Sequence, residues 1–319
     1  GTYIKIINPD GTVDYEGKED NIRGRGNSTW GYPKKPYALK LDSKASILGM
    51  PKHKRWVLLA NWMDRTMLRN RVAFTIAEKT CLAWTPRGEF VEVILNGKHV
   101  GNYYLCEQIK VDENRVNINE LEDTDTEGDA ITGGYLMELD TYYDEVNKFK
   151  SSIMELPYMF KEPDEDVLNK QQFAYMQNYV NRLEEVLYDD TYFAIREYAK
   201  YIYIDTYIVW WLVHEITFNG EPNHPKSSYM HKDKGGKLKA GPVWDFDWGT
   251  FVPTTTTLRL SKAIYYERLL QDPVFLASVK ERWAELKPKF EEIPAFIEAE
   301  KARLSKSADI NIKLWPISS

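Results

Sequence analysis

A chain of 319 residues with 43% hydrophobic and 28% charged residues has enough apolar material for a substantial core and the composition of a water-facing globular protein. A net charge of -6 argues against general nucleic-acid binding, which normally shows a basic face. No apolar run approaches the roughly 20 residues that span a bilayer. The 21 Tyr and 10 Trp suit stacking on sugars or bases, although most such rings end in cores. Cys81 and Cys106 sit in apolar stretches ("EKTCLAW", "YYLCEQI") and read as buried thiols whose spacing asks for no disulfide. The chain opens at Gly1 in mid-pattern without an initiator Met, which reads as a start cut from a longer chain, any export signal already removed.

The first 60 residues read as strands and turns. "TYIKIINPDGTVDY" is a hairpin turning at Pro9-Asp10-Gly11. In "PYALKLD" the alternation puts Tyr37, Leu39 and Leu41 on one face and Ala38 and Lys40 on the other. Helical spacing predicts a helix over 64–79, with Asp64 as its cap. "FVEVILNGKHVGNYYLCEQI" is a hairpin through Asn96-Gly97, and "GGYLMELD" is a strand after an acidic loop. The second half changes character: long helices are predicted over 165–187 and 190–217, then a hairpin at Gly235-Gly236, then helices from about 262 to 305. The pattern is α+β, a β-rich lobe over 1–150 and a mainly helical one over 151–319 within one domain, 1–319.

Several familiar sites are absent. "HEITF" lacks the second His of a zinc helix. No Walker loop, no complete G-x-G-x-x-G and no G-x-S-x-G occur. The candidates that remain are polar residues in apolar mounts. "GPVWDFDWGTF" holds Asp245 and Asp247 one residue apart; if the segment stays extended, both carboxylates face one way and repel. A divalent cation relieves that repulsion, and magnesium binds through one or two carboxylates with waters and phosphates. The bland alternative is a turn in which one Asp caps backbone amides. "IRGRGNSTW" sets Arg23 and Arg25 between glycines, a chemistry suited to an anion and equally to a tight turn. Lys40 on its strand and Glu107 at the end of an apolar strand are ambiguous alone; together they would make the ion pair that aligns nucleotide phosphates in protein kinases.

These pieces, in order, resemble the CotH kinases, a family named for a bacterial spore-coat protein. The resemblance rests on "RGRGNSTWGYPKKPYALKLD", "LGMPKHKRWVLLANWMDRTMLRN", "FVEVILNGKHVGNYYLCEQIKVDENRVNI", "GGYLMELD" and "GKLKAGPVWDFDWGTF", and runs from about residue 22 to 251. It implies an atypical protein-kinase-like fold that transfers the γ-phosphoryl group of ATP to Ser or Thr of proteins, with Mg2+ or Mn2+ and the nucleotide held in the cleft between lobes. In that light Asp245 is the metal-binding aspartate with Asp247 beside it, Lys40 is the phosphate-binding lysine paired with Glu107, and Arg23 and Arg25 are anion contacts. Trp244 is a stacking surface for adenine. The family usually places an aspartate in the loop after the long helix as base; here Glu221 in "NGEPNHPKS" is the nearest candidate. The resemblance also implies an exported, envelope-associated protein that acts on other surface or secreted proteins.

Two rival readings accompany it. One is a secreted glycoside hydrolase, which would use paired carboxylates and aromatic sugar platforms; against it, Asp245 and Asp247 are too close in sequence to flank a glycosidic bond. The other is a non-catalytic adhesion or pseudokinase domain, favoured by a glutamate where the family has its aspartate.

Overall fold

The turn chemistry at the N-terminus sets the first sheet. In the computed structural model, which describes residues 1–252 and 256–316, β1 (Thr2–Ile7) and β2 (Val13–Gly24) pair antiparallel. Between them Asp10 accepts from the Thr12 amide and hydroxyl at 2.9 and 2.6 Å, and Gly11 takes the left-handed φ of 87° that the turn requires. β3 (Tyr37–Ile47) and β4 (Met50–Leu59) follow, then helix α1 (Arg69–Glu78), then β5 (Gly88–Leu95) and β6 (Lys98–Glu107), joined at Asn96-Gly97 as the sequence indicates. The six strands lie in the order β1-β2-β3-β4-β6-β5. Their alternation is the predicted one: Leu39, Leu41, Trp56, Leu58, Tyr103 and Leu105 form one buried cluster, and Lys40 is exposed.

Helix α1 begins five residues later than its periodicity suggests. Asp64 does accept from the Arg69 amide at 2.9 Å, but it also takes the Thr66 amide and hydroxyl, so its carboxylate builds a turn before the helix.

The second sheet comprises β7 (Tyr135–Leu139), β8 (Lys148–Lys150) and β9 (Pro157–Glu162), and later β10 (Ser228–Lys232) and β11 (Leu238–Ala240), in the order β11-β10-β7-β9-β8. Between β9 and β10 run α2 (Lys170–Tyr188), α3 (Asp190–Ala194) and α4 (Ile204–Ile216). An Asn169/Gln172 capping box starts α2. The single helix predicted over 190–217 is broken. Arg196 turns left-handed at φ 57°, and the backbone of Tyr201 and Tyr203 pairs with Leu238 at 2.9 and 2.8 Å. A strand has claimed the amides a continuous helix would have used. From Thr206 to His214 every residue of α4 is buried, as an all-round apolar helix should be.

α5 (Tyr266–Leu269), α6 (Pro273–Phe290) and α7 (Ile293–Leu314) close the chain. The last of these packs on the first sheet: Asn102 on β6 bonds Asn311 and Ser307 at 3.1 and 2.8 Å, and Trp315 donates to Val100 O at 2.8 Å. Gly101, at φ 101°, leaves no room there for a side chain, since a Cβ would meet Asn311.

The architecture is α+β, as the pattern of elements indicates. The chain forms two units, one of residues 1–72, 86–108 and from 293 onward, the other of 73–85 and 109–292. A lobe boundary at 150 therefore cuts through the second sheet, and the last helix belongs with the first one. Cys106 is buried but Cys81 is exposed, and neither is in a disulfide, so the burial read for Cys81 does not hold. Among the described residues no helix is long and apolar enough to cross a membrane.

Candidate active site

In the second unit, strand β11 delivers the chain into Gly241–Asp247. Gly241 donates to Tyr229 O at 2.9 Å and accepts from His231 Nδ1 at 2.9 Å, which fixes the entry. Val243, Trp244 and Phe246 are buried. The Trp244 ring lies 5.8 Å from Phe74, and Phe246 meets Phe74 edge-on at 6.2 Å and His214 at 5.2 Å. These rings bolt the turn to the core and leave Asp245 half-buried at its apex.

Asp245 has φ 71°, in the left-handed region that costs a non-glycine residue energy. Extended geometry therefore fails at that residue, and the same-face argument for Asp245 and Asp247 fails with it; Asp247 is also half-buried, two residues on. Phe218 at 55° and Ser227 at 50° are left-handed as well. The Asp245 carboxylate takes no backbone amide among the described residues. Its Oδ2 accepts from the Ser227 hydroxyl at 3.2 Å. The capping alternative therefore fails for Asp245.

Asn219, 1% exposed, ties two site residues together. Its Nδ2 donates to Asp245 O at 3.2 Å while its Oδ1 accepts from the Glu221 amide at 3.1 Å. Glu221 opens a short 3-10 turn, Glu221–Asn223, in the loop that follows α4. Its carboxyl is pushed up to about 7, first by burial, then by the negative charges of Asp245 and Asp140, with Lys226 opposing. Asp140, at the end of β7, is buried; its carboxylate accepts from the Tyr142 and Ser227 amides at 2.8 and 3.1 Å, and burial raises its pKa against those bonds. The acids whose charges bear on Glu221 are thus Asp245 and Asp140. Lys226 is the cation among them, its ammonium 4.8 Å from the Tyr142 ring centre.

Such a set can perform two tasks. A hard cation such as magnesium needs one or two carboxylates and completes its shell with water and phosphate oxygens, and Asp245 can supply one carboxylate. A purely protein-built metal cage is not present: among the described residues no three His, Cys, Asp or Glu side chains are placed to hold an ion. Glu221, with a pKa near neutrality, can accept a proton at physiological pH.

The first unit holds the cationic candidates. Arg23 and Lys40 are exposed on the face of the sheet opposite its core, and Arg25 is half-buried just past the end of β2, its amide donating to Pro36 O at 3.3 Å. The Lys40–Glu107 pair is not formed. Strand register places Leu39, Trp56 and Glu107 on one face and Lys40 on the other. Glu107, fully buried, is instead gripped by Arg87, whose Nε and Nη2 donate to its two oxygens at 2.7 and 2.9 Å and whose amide adds a third bond at 2.9 Å. Trp244 is corrected too. At 8% exposure and packed on Phe74 it presents no stacking face, whereas Trp248 is 53% exposed.

Sequence reasoning missed Asp140, Asn219 and Ser227. Asp140 carried a signal, an acid closing the apolar strand of "GGYLMELD". Asn219 was absorbed by ordinary turn chemistry, and nothing in a serine betrays a left-handed backbone. Lys34 was also missed. It is buried in the first unit, donates to Ala60 O at 2.9 Å and to Asn102 O, lies 4.6 Å from the Tyr103 ring centre, and is pushed down to about 7 by burial.

A family model described as CotH kinase protein matches residues 22–318. The chain belongs to the CotH family. No curated protein matches its sequence. The CotH match spans both units, so the strained turn at Asp245 and the cationic strand face fall within the region the family shares.

Proposed function

We propose that this chain is a CotH-type phosphotransferase on a kinase-like fold, which uses ATP with Mg2+ or Mn2+ and transfers the γ-phosphoryl group to Ser or Thr hydroxyls of other proteins. The observation that carries the reading is the hydrogen bonding in the second unit by which Asn219 pins the backbones of both Asp245 and Glu221; burial and the charge of Asp245 raise the Glu221 carboxyl to about 7. In this reading Glu221 accepts the proton of the acceptor hydroxyl as its oxygen bonds to the γ-phosphorus and the bond to the β,γ-bridging oxygen breaks, releasing ADP. Asp245, one oxygen of which accepts from the Ser227 hydroxyl, would hold the metal ion with Asp247 as a second ligand, and the ion would neutralise phosphate charge. Arg23, Arg25 and Lys40 contribute phosphate contacts. The glutamate in place of the usual aspartate extends the base by one methylene and, being half-buried beside another acid, has the basicity the step requires. The exported, envelope-associated location implied by the resemblance belongs to the same proposal.

Mg-ATP that binds only the native state should raise stability by about 2.7 kcal/mol at a hundredfold excess over Kd, read as a thermal shift. With γ-labelled ATP, Glu221→Gln should retain that shift and lose about 10²- to 10⁴-fold in transfer rate. A melt unmoved by Mg-ATP but moved by an oligosaccharide would overturn the reading in favour of carbohydrate chemistry.

A further inference from the structure

The segment that leaves the Asp245 turn comes back to the loop that carries Glu221. On the way out the Phe251 amide donates to Thr217 O at 2.8 Å. On the return the Arg259 and Leu260 amides donate to the two carboxylate oxygens of Glu215 at 3.0 and 2.6 Å. Asn223 Nδ2 donates to Arg259 O at 3.0 Å, so the backbone of Arg259 is tied both to the last turn of α4 and to the 3-10 turn that Glu221 opens. The Arg259 guanidinium lies over the Phe218 ring, 5.0 Å from its centre, and against Gly220, where a Cβ would overlap Nε, Cζ and Nη2. Glycine is required there for close approach and not for its backbone angle, since φ is -90°. Arg259 is exposed, and among the described residues no carboxylate pairs with its guanidinium. Lys226, by contrast, is committed to the acids, because its charge acts on both Glu221 and Asp140. Arg259 is therefore a cation held against the residue before the base, with its planar fork unclaimed by any described acid.

We propose that Arg259 takes the γ-phosphoryl group of the nucleotide, donating to its non-bridging oxygens while that group passes to the acceptor hydroxyl. The proposal rests on the phosphotransfer reading above and adds to it a residue of the second unit itself. The paired donors of arginine match two oxygens of a phosphoryl group, and charge-assisted bonds of this kind are about twice as strong as neutral ones. During transfer the charge is spread over the equatorial oxygens of the moving group. A cation already fixed beside them stabilises that state without reorganising, and the ties to Glu215 and Asn223 supply the fixing. Glu221, Asp245 and Asp140 would otherwise repel an incoming phosphate. ADP lacks the group that Arg259 takes, so the residue distinguishes ATP from ADP.

The test is calorimetric titration of Mg-ATP and Mg-ADP into wild type, Arg259→Gln and Arg259→Lys, with the release of phosphate from γ-labelled ATP at saturating nucleotide measured alongside. Wild type should bind Mg-ATP more tightly than Mg-ADP. Arg259→Gln should weaken Mg-ATP by about tenfold to a hundredfold, the range expected for a lost charge-assisted bond, and should leave Mg-ADP unchanged. Its kcat should fall by about 10²- to 10³-fold. Arg259→Lys, which keeps the charge and loses the fork, should lie between. Loss of packing on Phe218 alone would weaken ATP and ADP together, and that result overturns the proposal. Wild-type ATP preference and wild-type kcat in both variants also overturn it and leave the phosphotransfer reading standing. A wild type that binds neither nucleotide overturns both. If Arg259→Gln does not fold, Arg259→Lys decides, and an unchanged ATP preference and rate in that variant refute the assignment.

Discussion

Glu107 and Glu221 show how differently the two units handle one side chain. Glu107 is fully buried at the end of β6, and Arg87 gives it two side-chain bonds and a backbone bond. Glu221 is only half-buried, yet it shares its surroundings with Asp245 and Asp140 and faces one nearby lysine. The first carboxylate has everything an ion needs and is therefore inert. The second is poised between charge states, and a metal, a proton or a phosphate changes its balance. Burial alone did not separate the two; the supply of partners did.

Substitutions can break that contrast. The largest stability effect should come from Glu107→Gln, which removes the charge and one of the two fork bonds while Arg87 remains. A loss of about 2 kcal/mol is expected, below the figure for a wholly buried pair because the Arg87 side chain is 40% exposed. Urea unfolding checks it, and an unchanged midpoint would mean that the fork contributes nothing.

Asn219→Ala should follow, at about 1–2 kcal/mol, since it orphans the Glu221 amide and loosens the carbonyl of strained Asp245. Transfer activity should fall with it, whereas Glu107→Gln should leave the chemistry of folded protein intact. Equal activity losses in the two variants would erase the distinction between a structural and a reactive acid.

The smallest effect has the opposite sign. Glu221 has its pKa raised from 4.5 to about 7, so the native state holds a proton that the unfolded state has released between those values. Stability from this group is present below about 4.5 and is lost as pH rises to 7. Glu221→Gln should therefore be more stable than wild type at pH 8, by on the order of 1 kcal/mol after solvent screening, and the gain should vanish near pH 4. In wild type, kcat/KM should rise with pH around the same midpoint of about 7.

What could be read in advance was local. Asn96-Gly97 and Pro9-Asp10-Gly11 specify their hairpins by turn chemistry, and alternation alone put Leu39 and Leu41 inward and Lys40 outward. The failures depend on partners far away in sequence. Helix 190–217 breaks because Leu238 takes its backbone, and α7 returns to the first sheet through Asn311 and Ser307. Glu107 could not be assigned without the strand register that brings Arg87 to it. At the site, Asp245 and Glu221 were visible as acids in suspicious places. The left-handed turns at Asp245 and Ser227, which decide where those acids point, occur without a glycine to announce them.

The most direct test of the division of labour at this site is the affinity for ATP measured as a function of magnesium concentration in wild type and in Asp245→Asn. Asp245→Asn keeps the shape of the turn and removes the charge that Ser227 orients. If Asp245 holds the ion, ATP affinity in wild type should rise with magnesium until it saturates, and in Asp245→Asn it should stay low and nearly independent of magnesium. An Asp245→Asn protein with wild-type affinity and wild-type magnesium dependence would contradict the assignment.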